Sequence, residues 1–184
     1  MAKDMEELRE SRLEEEEEDE VIKQNKKVRT PKFRIGNGIT IHSLTAAAGN
    51  RSSPSFEVNF TAPVRIKNPN FGPYKHDAAT VIFTYGGVEV GRATVPRGKA
   101  GFRSTGKVDV AITVSSKAMP RAAAAAAAAR EVSSSGVLML NGGGKLNGKV
   151  ELMLFFRKKK YSTGMNCTMV IDVVLETVKS LSCL

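Results

Sequence analysis

From residue 28 onward the apolar side chains fall on every second position. Phe56, Val58, Phe60, Ala62, Val64 and Ile66 alternate with Glu57, Asn59, Thr61, Pro63, Arg65 and Lys67, the period of a strand with one face inward and the other in water. Pro63 cannot donate to a ladder, so it predicts an edge or a bulge there. Val81, Phe83 and Tyr85 lead into Gly86-Gly87, and Val88 and Val90 follow, which reads as a hairpin. Further inward rows are Val108, Val110, Ile112 and Val114, then Val150, Leu152, Leu154 and Phe156, then Met165, Cys167, Met169, Ile171, Val173 and Leu175. With shorter runs at Lys32–Ile35, Ile39–His42 and Val137–Leu140, about seven or eight strands are expected. That number predicts an all-β chain, an immunoglobulin- or fibronectin III-like β-sandwich.

Two segments break the pattern. Pro120-Arg121, eight alanines and Arg130-Glu131 predict a short helix ended by Ser133-Ser134-Ser135-Gly136, since Ala is the best helix former and Pro suits a first turn. A uniform methyl surface offers little specificity, so residues 120–136 read as a low-complexity poly-Ala/Ser insertion between strands. Residues 1–27 hold the acidic run Glu14–Glu20 and then Lys23, Lys26 and Lys27. Their few apolar residues cannot bury a face, which predicts a disordered or loosely helical acidic tail. The division is a tail over 1–27 and one sandwich domain over 28–184, a length suited to a single core.

Charge is divided along the same boundary. The formal net charge is +9, yet residues 1–20 carry 11 acidic and 3 basic side chains, which leaves 8 acidic and 25 basic ones on the rest. A basic body attracts polyanions: anionic lipid, an acidic cell-wall polysaccharide, or nucleic acid. Nucleic acid ranks last, because aromatics are 6% of residues and Trp is absent, whereas single-strand binders add stacking platforms to charge. No run approaches the roughly 20 apolar residues of a membrane span, and residues 1–7 hold no apolar stretch of a secretory leader.

The sequence assembles no reactive site. Gly101–Val108 and Gly143–Val150 fit the G-x-x-x-x-G-K part of a phosphate loop, but each puts Val where a magnesium-binding Ser or Thr belongs. Each also leads into an alternating strand, not a helix N-terminus, so both read as turns before strands. His42 and His76, the two histidines, show no zinc spacing with the two cysteines, and no G-x-S-x-G elbow supplies a nucleophile. Both histidines read as surface or loop, and Asp77 as a turn residue after Pro73. No enzyme activity, cofactor or metal is expected.

Cys167 and Cys183 are expected to be free. A strand from Cys167 to about Val178 travels roughly 36 Å, and five further residues return at most about 18 Å, beyond the ~7 Å Cα limit of a disulfide. Three N-x-S/T triplets begin at Asn50, Asn59 and Asn166. Asn59 and Asn166 fall on outward rows, where a glycan could stand. Arg157, Lys158, Lys159 and Lys160 read either as a contact for an anionic surface or as a charged hairpin tip that discourages edge pairing.

The chain resembles the plant late-embryogenesis-abundant group 2 family (LEA_2), in particular its NHL, or harpin-induced-like, branch. The resemblance runs from about Val28 to Cys183. It rests on Val28-Arg29-Thr30-Pro31-Lys32, the Asn68-Pro69-Asn70 corner, Tyr85-Gly86-Gly87 with Gly91 after it, Leu146–Val150, and Met165–Met169 with a cysteine near the end. It implies a β-sandwich of the water-stress and hypersensitive-response type, with no catalytic centre, linked to desiccation, other abiotic stress and pathogen response. It also implies attachment to the plasma membrane by one helix near the N-terminus, with the sandwich outside the cell. This chain instead passes from its acidic run to Lys23–Lys27 without such a span. Two placements follow. One is a stress or defence protein that binds or scaffolds at the membrane or cell-wall face; the other is a soluble cytoplasmic protein that protects client proteins or lipids during desiccation.

Overall fold

The alternating rows fold into two antiparallel sheets whose apolar faces meet. The computed structural model describes residues 28–47, 55–152 and 157–184, with Arg9 and the helical residues 12–16 of the tail. The elements are β1 (Lys32–Ile35), β2 (Thr40–Ala47), β3 (Ser55–Lys67), β4 (Tyr74–His76), β5 (Ala79–Tyr85), β6 (Val88–Val95), β7 (Gly98–Ala100), β8 (Thr105–Ser115), α1 (Ala122–Ser135), β9 (Val137–Leu152), β10 (Arg157–Asp172) and β11 (Thr177–Cys183).

In the first sheet β3 is central, with β8 along one side and β1 and β2 along successive stretches of the other. In the second, β11, β10 and β9 run side by side; β4 and β5 then pair with successive stretches of β9, and β7 and β6 lie outside them. Every inward residue of the β3 row, from Phe56 to Ile66, is buried, as are Val81, Phe83, Val110, Ile112, Val114, Met165, Cys167, Met169 and Ile171. Phe60 and Phe83 meet edge to face across the two layers at 5.8 Å.

The strand count departs from seven or eight: the described residues hold eleven. β4 and β7 have only three residues each, too short for an alternating pattern. Conversely, the run at Val137–Leu140 and the row beginning at Val150 are one 16-residue strand, β9, that passes through the glycines between them. Close packing explains Gly148 within it, because a Cβ there would lie 2.5 Å from the Lys75 carbonyl and 2.6 Å from the Tyr74 ring. The segment Gly143–Val150 is therefore strand and not a turn before one; Leu154 and Phe156 lie outside the described residues. Pro63 is not on an edge either. It sits mid-β3 at the seam where the β1 ladder ends at Val64 and the β2 ladder begins at Thr61. Its carbonyl accepts from Gly36 N at 2.7 Å, and the missing N–H points to the same side of the strand, into that seam.

The alanine segment is helical and ends at Gly136, which is left-handed (φ 66°) with its N–H donating to the Val132 carbonyl. The helix continues through the serines that were expected to stop it. Ala128, Ala129 and Val132 are buried and Ala125 half-buried, a stripe at helical spacing that packs on β2, β3 and the 3₁₀ turn Ser116–Ala118. It covers one end of the sandwich. Burial first, with the Glu131 carboxylate of this helix beside it, pushes the Tyr85 phenol up to about 12.

The cysteines correct the expectation of two free thiols: Cys167 and Cys183 form a disulfide. The row that was expected to run on to Val178 breaks at Asp172. The buried Asp172 carboxylate accepts from Val174 N and Leu175 N, both at 2.9 Å, and from Lys179 Nζ at 2.8 Å. Lys179 first, and then the two amides, hold its carboxyl below the usual range. Glu176 takes φ 51° to complete the turn, which leaves Val174 and Leu175 exposed. β11 then returns along β10 and brings Cys183 directly opposite Cys167, with Cα atoms 4.0 Å apart.

At the other end, a buried amide ties three segments together. Asn68, 1% exposed, donates from Nδ2 to the carbonyls of Gly72 (2.7 Å), Gly101 (2.8 Å) and Ala100 (3.3 Å). Its Oδ1 accepts from the backbone and side-chain nitrogens of Asn70, both at 3.1 Å. Asn70 brackets Arg29, accepting from its N–H and donating to its carbonyl, both at 2.7 Å. The start of the domain, the β3–β4 corner and the β7–β8 loop thus share one network.

Asn68→Ala leaves those carbonyls without a donor and is expected to lower the unfolding free energy by about 3 kcal/mol, read as the denaturation midpoint. Asn68→Asp is expected to cost more, because a carboxylate would face the same three oxygens. Cys183→Ser opens a loop with a sequence separation of 16 and is expected to cost about 3 kcal/mol, with unchanged behaviour under reductant.

Candidate anion-binding surface

Strand register assembles cations that are far apart in the chain. On the second sheet, Lys75 of β4 stands directly opposite Lys99 of β7 and Lys149 of β9, and Lys149 stands opposite Lys160 of β10. All four are exposed. Parity dictates this: Tyr74 and His76 point inward on either side of Lys75, as Gly148 and Val150 do beside Lys149. With strands ~4.8 Å apart, the row crosses about 15 Å.

Like charges directly opposite are unfavourable, each neighbouring pair costing up to roughly 1 kcal/mol in water at such distances. Glu151 relieves part of this. Its carboxylate pairs with Lys75 at 2.9 Å and lies 4.0 Å from Lys158. Lys75 first, with Lys158 adding to it, holds that carboxyl below its usual range. Among the described residues Lys99, Lys149 and Lys160 have no carboxylate partner.

The first sheet repeats the device at the same end. Arg34, Arg65 and Lys107 are opposed across β1, β3 and β8, and Lys32 is opposed to Lys67 one step nearer the corner. The Arg65 side chain lies over Gly36, where a Cβ would fall 2.5 Å from its Nε, and that buried Nε has no partner among the described residues.

Of the predicted basic cluster, Lys158 and Lys160 share the face of the lysine row, whereas Lys159 is opposed to the buried Val150 and lies on the other face of β10. Arg157 pairs by backbone with Leu152 at the start of β10, Lys158 opposes Glu151, and Lys160 closes the lysine row. Lys159 stands 5.9 Å over the Tyr161 ring. Lys75, Lys99 and Lys149 were missed, because no local motif links them; only the pairing of β4, β7 and β9 does.

Asn50 lies outside the described residues. Asn59 lies on the outer face of β3, but its amide is bound across three strands, donating to Ser43 Oγ (2.8 Å) and accepting from Thr113 Oγ1 (2.6 Å). Asn166 is exposed beside the disulfide, and Thr168 of its triplet donates to Asn141 Oδ1 at 2.8 Å. His42 is exposed against Thr61 Oγ1. His76, expected at the surface, is instead 5% exposed, because the short β4 turns it inward beside Tyr74. Burial, with Asp77 nearby, pushes the Tyr74 phenol up to about 12. Among the described residues no group of His, Cys, Asp and Glu is arranged to hold a metal.

A family model, LEA_2 (late embryogenesis abundant protein), matches residues 63–167, more than half of the chain. No curated protein matches it. Among solved structures, the solution structure of AT1g01470 from Arabidopsis thaliana is similar at 14% identity, covering 79% of this chain and 83% of that one with a TM-score of 0.48. A solution structure described as a late embryogenesis abundant (LEA) protein, At2g46140.1, is similar at 14% identity over 86% and 88%, TM-score 0.38. A crystal structure of a protein from Archaeoglobus fulgidus is similar at 9% identity over 69% and 95%, TM-score 0.33.

Proposed function

The chain belongs to the late embryogenesis abundant LEA_2 family, and from that premise we propose that it is a non-enzymatic stress-response protein whose sandwich holds to an anionic surface at the membrane or cell-wall face. The lysine row Lys99–Lys75–Lys149–Lys160 carries this reading. It concentrates like charge at a cost to the fold, and a polyanion laid across it removes that cost. The harpin-induced-like motifs extend the proposal to defence responses and to the outer side of the plasma membrane. Support for that side comes from the disulfide, a bond that persists in oxidising compartments, and from the exposed Asn166 side chain. No helix among the described residues is long and apolar enough to cross a membrane.

The row makes stability and binding move in opposite directions. Lys149→Glu puts an acid between Lys75 and Lys160 and is expected to raise stability by up to about 1 kcal/mol. The same change is expected to weaken binding to phosphatidylserine vesicles and to polygalacturonate about tenfold at low salt. Glu151→Gln is expected to do the reverse on both counts, by smaller amounts. Melting temperature and co-sedimentation read the two effects. Wild-type binding that ignores salt, or a Lys149→Glu variant that binds unchanged, would remove the proposal.

A further inference from the structure

Phe71 and Phe102 sit on the two loops that the Asn68 network joins, and they are 60% and 51% exposed. Their rings meet edge to face, with centroids 5.2 Å apart and planes at 80°. The Arg103 guanidinium lies 4.8 Å over the Phe71 ring. Arg103 itself is held at φ 43° with its N–H on the Asn70 carbonyl at 3.0 Å. The pair is thus a fixed apolar tip, built from the corner rather than left over from the core.

The basic rows converge on this tip. Lys67 directly precedes Asn68, and Lys99 stands two residues before Gly101, whose carbonyl Asn68 holds. On the second sheet Tyr74 is opposed to Ala100 and to Val150, so the β9–β10 hairpin with Lys158 and Lys160 lies at the same end.

We propose that the Phe71–Phe102 tip is a wedge that enters the headgroup and upper acyl region of an anionic lipid bilayer, while Arg103 and the flanking lysine rows contact the phosphates. This rests on the reading of the basic face as an anion-binding surface, and commits it to lipid. Charge complementarity around an apolar tip is the pairing that holds proteins at bilayer interfaces. An acidic polysaccharide offers no apolar phase for the rings. Base stacking needs open ring faces, and here Arg103 covers a face of Phe71 while each ring is packed against the other. The opposite end supplies the contrast: Val174 and Leu175 are even more exposed, at 80% and 68%, but stand beside the neutralised Asp172–Lys179 pair and Glu176.

The test uses the full chain with vesicles of phosphatidylcholine alone or with phosphatidylserine. The Phe71→Ser/Phe102→Ser variant is expected to lose on the order of tenfold in partitioning to the anionic vesicles, with unchanged binding to polygalacturonate. Val174→Ser/Leu175→Ser is expected to bind as wild type. The chain has no Trp, so Phe102→Trp supplies a single reporter whose emission should shift to the blue on anionic vesicles and be quenched by brominated acyl chains. Unchanged partitioning of the double Phe variant, or an unshifted Trp signal, overturns the wedge. If Lys149→Glu still weakens polyanion binding in that case, the wider function stands. Loss of oligonucleotide binding in place of vesicle binding would replace the wedge with a stacking platform.

Discussion

One carboxamide, that of Asn68, constrains the whole corner end of the molecule. Three carbonyls turn inward where β3 gives way to β4 and β7 to β8, and buried carbonyls need donors. The Asn68 Nδ2 supplies them, while its Oδ1 orients Asn70, which in turn holds Arg29. With that network in place, β4 can run beside β9 with Tyr74 over Gly148, and the register sets Lys75 between Lys99 and Lys149. The same bonds set Phe71 and Phe102 against each other. Geometry at the surface is thereby inherited from a buried amide.

Charge works against the fold on the surface that this corner positions. Opposed lysines on adjacent strands repel, and Glu151 offsets part of this by pairing with Lys75 and Lys158. Salt at physiological strength screens charges beyond about 8 Å, so the cost falls on directly opposed neighbours and not on the row as a whole. The sandwich core carries the stability instead: two faces of alternating apolar side chains, a docked alanine helix at one end, and a disulfide that pins the last strand. A surface that costs stability is a natural place for a ligand of opposite sign.

Much of this was legible in the chain. Period-two alternation located β3, β5, β6 and β8 and gave the sandwich, because a half-buried strand writes its burial directly into sequence. Asn68-Pro69-Asn70 was recognisable as a corner, although not as the hub of a hydrogen-bond network. Arg157–Lys160 was visible as a cluster, since contiguous charge needs no fold to be seen. Lys75, Lys99 and Lys149 were not, because register is a tertiary property that no local spacing encodes. The cysteines failed for a related reason: apolar Val173 and Leu175 continued the alternation past the turn, and the ability of Asp172 to stop a strand appears only when its carboxylate finds the next two amides.

The central claim is that the corner end and its lysine row form the face that meets an anionic surface. Acetylation of lysines by a water-soluble reagent, read by mass spectrometry with and without phosphatidylserine vesicles, tests it most directly. Lys75, Lys99, Lys149 and Lys160 are expected to be protected, with Lys117 and Lys179 at the far end modified as in free protein. Uniform protection, or protection confined to Lys117 and Lys179, would contradict it.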